Sequence, residues 1–77
     1  MNYPDGKRVL IGDRVKLWEG CQGIVVCSMD DDEYTTEYPK AEWGYLKSGV
    51  LINSDKGGLI HLIESDEDLE LIERSKS

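Results

Sequence analysis

The side chains with chemistry to offer in this chain are carboxylates and aromatic rings, and they come in runs. Asp30, Asp31, Asp32 and Glu33 are consecutive, Tyr34, Glu37, Tyr38 and Trp43 follow closely, and Asp66, Glu67 and Asp68 form a second acidic run. Carboxylates suit hard cations, but a calcium loop needs ligands at alternating positions, a glycine at its bend and a closing glutamate. Neither run has that spacing, so neither a metal nor a cofactor is expected.

Nucleophilic chemistry finds no better footing. Cys21 or Cys27 would need a histidine as base, and the only histidine is His61, inside the apolar stretch LIHLI, where a partly covered strand residue is the expected role. There is no phosphate-cradling glycine loop, no nucleophile elbow and no paired-histidine metal motif. The sequence therefore predicts no enzyme. A disulfide between Cys21 and Cys27 would require a strand to fold back sharply, so reduced thiols in a cytoplasm are the simpler expectation.

What remains is recognition. Aromatic anchors inside a polar, acidic rim have the composition of an interaction surface, which makes Asp30, Asp31, Asp32, Glu33, Tyr34, Glu37, Tyr38, Trp43, Asp66, Glu67 and Asp68 the predicted partner-binding set. Trp43 and Tyr45, alternating about Gly44, have a second expected role as a cover over an open end of the fold. Sixteen acidic against nine basic side chains give a formal charge of −7, which opposes binding to nucleic acid or an anionic membrane and favours a basic protein partner. Lys7, Arg8, Arg14 and Lys16 cluster near the first strand, too few to reverse that field.

These residues must be held by short strands. Arg14 to Trp18 alternates with period two, Val15 and Leu17 on one face and Arg14, Lys16 and Trp18 on the other. EGCQG reads as the turn, and GIVVCSM as a strand with little polar face, Val25, Cys27 and Met29 opposite Ile24, Val26 and Ser28. GVLINS and LIHLI form a second hairpin about DKGG, and LELIER holds a last short strand with Leu69 and Leu71 on one face. Residues 30–48 make a long excursion carrying four of the six aromatic residues, with a helical turn through KAEW beginning at Pro39. Ser65 and Asp68 suggest one more helical turn before the last strand.

That order of elements over residues 9–73 resembles an SH3-like barrel. The resemblance implies an all-β, small five-stranded closed barrel, with the long loop at about 30–48 and a single helical turn before the last strand. Locally Gly12, Asp13, Val15, Gly20, Gly23 and Val25 resemble a KOW-type hairpin. KOW proteins meet RNA or ribosomes through basic loops, whereas the loops here are acidic, so only the fold is expected to carry over. In size, charge and layout the chain also resembles small bacterial immunity-type proteins, which implies an inhibitor that occludes a basic partner such as a toxin. An SH3- or Tudor-type peptide-binding module, its aromatics lining a groove or a methyl-lysine cage, is the alternative, and KOW-like RNA or ribosome association a further one. Seventy-seven residues suit a single domain, with residues 1–8 as an N-terminal arm and 74–77 as a flexible tail. No apolar stretch suggests a signal peptide or a membrane span, and a cytoplasmic protein is expected.

Overall fold

The computed structural model describes residues 1–64 and 67–74. Its strands are β1 (Arg14–Trp18), β2 (Cys21–Ser28), β3 (Glu33–Tyr34), β4 (Val50–Ser54), β5 (Gly58–Leu62) and β6 (Glu70–Glu73). They form one antiparallel sheet in the order β5-β4-β2-β1-β6, with β3 on a side branch against β2. Among the described residues the domain is all-β apart from one α-helical turn, α1 (Lys40–Trp43), and two short 3-10 turns.

Two expectations are corrected here. The sheet is open, because β5 and β6 lie at its ends and do not pair with each other. There are also six described strands rather than five, the extra one being the two-residue β3 inside the long excursion. The helical turn expected before the last strand begins at Ser65 and Asp66, which lie outside the described residues; Glu67 and Asp68 form a turn.

The β1–β2 hairpin follows the alternation: Val15 and Leu17 are buried, Arg14 and Trp18 exposed. Its turn is tighter than EGCQG suggests. Trp18 already pairs with Cys21, leaving Glu19 and Gly20 as the loop, with Gly20 at φ +85°. Cys21 joins the strand because its fully buried side chain belongs to the core.

β2 departs from strict alternation. Val25 faces Ile52 of β4, yet Cys27 faces Leu51, so two residues of β2 answer one of β4. This bulge moves Cys27 to the face that carries Val26, and places Met29 there as well, instead of grouping both with Val25. One face of the sheet carries the main core, Val9, Val15, Leu17, Cys21, Val25, Val50 and Ile52 with Tyr3 and Leu69. On the other face Val26, Cys27, Met29 and Leu51 form a second cluster. Each buried Val, Leu or Ile contributes about 1.5–3 kcal/mol relative to exposure, so two clusters matter in a chain this short.

The excursion is what covers that second face. Tyr34, Tyr38, Trp43 and Leu46 pack onto the second cluster, which explains why GIVVCSM carries apolar residues on both sides. Pro39 stands just before the helical turn, φ −75° and ψ 157°, and its carbonyl accepts the N–H groups of Glu42 and Trp43. At the far end Gly49 takes φ +83°, where a Cβ would stand 2.0 Å from the carbonyl oxygen of Leu62, so only glycine fits.

The N-terminal arm is part of the fold. The Pro4-Asp5-Gly6 turn returns the chain so that Tyr3 N–H donates to Lys7 O at 2.7 Å, and Tyr3 is buried in the main core. At the other end Arg74, the first residue of the stretch expected as a tail, donates from Nε to Asp13 at 3.2 Å and from Nη2 to Arg8 O at 2.7 Å. Residues 75–77 lie outside the described residues.

Candidate functional site

The first acidic run is largely occupied with holding the fold. Asp30 accepts the N–H of Gly49 at 3.0 Å and lies 3.3 Å from the Met1 amino group. Asp31 accepts from the Arg8 guanidinium and from Ser28 Oγ at 3.1 Å. Asp32 sits in the left-handed region at φ 55° and pairs with Lys40 Nζ at 2.8 Å. Charge-assisted hydrogen bonds favour the ionised acid. The Gly49 amide holds the Asp30 carboxyl below the usual carboxylate range, with burial opposing it. Arg8 does the same for Asp31, again against burial, helped by Ser28. These carboxylates close the base of the excursion.

The aromatic residues of the excursion divide. Tyr34, Tyr38 and Trp43 are half-buried over the second cluster, with the Tyr38 and Trp43 rings 6.0 Å apart. Tyr45 is 70% exposed and stacks on Trp43 at 6.5 Å. Among the described residues, the buried Trp43 indole N–H has no hydrogen-bond partner. Glu33 and Glu37 are exposed, Glu37 beside a shallow hollow of about 330 Å³ formed with Val26, Thr35 and Tyr38.

The second acidic run stands elsewhere. Glu67 and Asp68 rim a groove of about 580 Å³ that no residue of the 30–48 excursion lines. Asp66 lies outside the described residues. The floor is apolar: Tyr3, Pro4, Trp18 and Leu69. Asp5, Glu19 and Glu70 complete an anionic rim, and Lys16 is its single cation among the described residues. Glu19 reaches Lys16 Nζ at 3.0 Å and holds that ammonium above the usual lysine range. Trp18 is 46% exposed, its outer ring edge against the β4–β5 turn at Gly57. Tyr3 lies buried beneath, donating to Asp13 at 2.6 Å, and its phenol is pushed well above its ordinary value, first by burial and then by that carboxylate.

Sequence reasoning found two rim acids of this groove, Glu67 and Asp68, but not the groove. Asp5, Lys16, Glu19 and Glu70 come from three separate stretches of chain, and nothing local joins them. It also missed Asp13, which is fully buried and accepts from Tyr3, from Leu10 N–H at 3.0 Å and from Arg74. The one available signal was the glycine-aspartate pair before β1.

Of the four cations expected to cluster near the first strand, Lys7 pairs with Asp5 at 3.9 Å, Arg8 with Asp31 and Lys16 with Glu19. His61 is half-buried and donates from Nε2 to Ser48 O at 2.8 Å, since a carbonyl can only accept. Cys21 and Cys27 are buried free thiols, and burial raises the Cys27 thiol. Among the described residues no group of three His, Cys, Asp or Glu side chains is placed to hold a metal ion. Among the same residues no helix is long and apolar enough to cross a membrane. No protein-family model matches the chain, and no curated protein or solved structure matches it.

Proposed function

We propose that this domain is a non-enzymatic protein-binding module that takes a basic segment of a partner protein into the groove between the N-terminal arm, β1 and the start of β6, in the manner of a small acidic inhibitor or immunity-type protein. The observation that carries the reading is the groove itself, an apolar floor with a half-exposed tryptophan inside a carboxylate rim. Such a surface gives a desolvated anchor at its centre and electrostatic steering at its edge, the two ingredients of fast and selective association with a cationic partner. Trp18 can also stack against an arginine or lysine.

The strand order, with the last strand returning beside the first, supports an SH3-like arrangement that is left open. That favours an extended peptide as the bound segment. The pairing of Lys7, Arg8 and Lys16 with carboxylates weighs against nucleic acid. The two free thiols suit a reducing cytoplasm.

A fluorescently labelled lysine- and arginine-rich peptide is the probe. Its association rate with the intact domain should fall steeply as salt rises. Glu67→Lys with Glu70→Lys should slow association by about tenfold, while Trp18→Ala should mainly speed dissociation. Glu37→Lys, outside the groove, is the control. Equal effects at Glu37 and in the groove, or no binding at low salt, would overturn the proposal.

A further inference from the structure

The groove holds a cation of its own. Lys16 and Trp18 are alternate residues of β1, and both side chains line it. Glu19 follows in the turn, with its carboxylate 3.0 Å from Lys16 Nζ. Across the sheet, Lys16 stands directly opposite Glu70 in the β1–β6 register. The ammonium is therefore set among rim acids from two separate stretches of chain. Its hydrogen bond to Glu19 and that carboxylate's charge hold it above the usual lysine range against burial, and Glu70 and Asp68 add to the pull.

Five acids line the groove, Asp5, Glu19, Glu67, Asp68 and Glu70, and Lys16 is the one cation among the described lining residues. The aspartates at the base of the excursion tie distant elements together. The Lys16–Glu19 pair joins no separate elements, since its members stand three residues apart on one hairpin. That hairpin is already held by its ladder and by the buried Val15 and Leu17. The Glu19 side chain is 95% exposed and that of Lys16 38%. A pair so open to water is weak and screened by salt. Its consequence is local: one rim acid is neutralised, and an arriving cation meets a like charge beside it.

We propose that Lys16 is a selectivity residue of the groove: bound to Glu19, it is an internal stand-in for the partner's cation, which must exchange with it before the whole acidic rim can be used. The inference rests on the groove reading above and adds to it a rule for which basic segments bind. A solitary cation gains little, because it meets a pair already made. A segment with several cations gains first from Glu67 and Glu70 and can then take Glu19, while the displaced ammonium swings to solvent on its flexible stem. The stand-in thus favours multiply charged basic segments.

The fluorescently labelled lysine- and arginine-rich peptide tests this against the intact chain, Lys16→Met, Glu19→Gln and the double variant, with circular dichroism confirming that each folds. Lys16→Met keeps the apolar stem and removes the charge, and should tighten binding about fivefold at low salt. Lys47→Met makes the same change in net charge on the excursion, away from the groove, and should stay within about twofold. Glu19→Gln should weaken binding by about twofold or less in the intact chain, where Lys16 masks it, and by about fivefold in the Lys16→Met background. Equal gains from Lys16→Met and Lys47→Met, or an equal cost of Glu19→Gln in both backgrounds, would overturn the stand-in while leaving the groove. No binding by any of these forms would remove both.

Discussion

Two acidic stretches that look alike as text are placed differently in the fold. Asp30, Asp31 and Asp32 each have a partner within the molecule: the Gly49 amide, the Arg8 guanidinium with the Ser28 hydroxyl, and the Lys40 ammonium. Glu67 and Glu70 stand on the rim of a groove, facing solvent beside Trp18. The same functional group is a fastener in one place and an exposed rim acid in the other. What separates Asp30, Asp31 and Asp32 from Glu67 and Glu70 is whether a cation or amide stands within hydrogen-bonding or ion-pair distance among the described residues. Net charge reports the sum and says nothing about that division.

The comparison extends inward to Asp13, the most deeply held carboxylate, and there it can be broken most decisively. Asp13→Ala leaves the Tyr3 hydroxyl, the Leu10 amide and part of the Arg74 guanidinium without their acceptor, and should cost about 3–5 kcal/mol, read as a lowered urea midpoint. A change below about 1 kcal/mol would place Asp13 with the rim acids instead. The milder Tyr3→Phe removes one of those donors and should cost about 1–2 kcal/mol.

The base of the excursion should come next. Asp30→Ala frees the Gly49 amide and should cost about 1 kcal/mol. Acid sharpens the same point. The folded state holds the Asp30 and Asp31 carboxyls below their unfolded values, so it binds their protons less tightly than the unfolded chain does. The stability they provide is therefore complete above about pH 4 and is lost as the pH falls through their folded values. In Asp30→Asn with Asp31→Asn that part of the acid dependence should flatten, measured by urea unfolding at stepped pH.

The smallest effect should come from the rim. Glu67→Lys and Glu70→Lys should shift stability by no more than about 0.5 kcal/mol, because neither makes an ion pair among the described residues. A large loss there would erase the distinction between fastener and rim acid.

Much of the architecture was legible beforehand. Period-two alternation located β1, the two glycines of DKGG located the β4–β5 turn, and the aromatic content of residues 30–48 signalled an ordered excursion. The chain predicted an all-β domain because strand alternation and turn chemistry are properties of neighbouring residues. Only tertiary structure decided the rest. The bulge in β2 moved Cys27 and Met29 to the second face through the pairing of Cys27 with Leu51. Arg74 found Asp13 across most of the chain, and the open sheet left β5 and β6 at its ends. Which carboxylate meets a cation, and which strand stands at an end of the sheet, depends on residues far apart in sequence being brought within a few ångströms. Local pattern carries no record of those distances, and they decide what each charge can do.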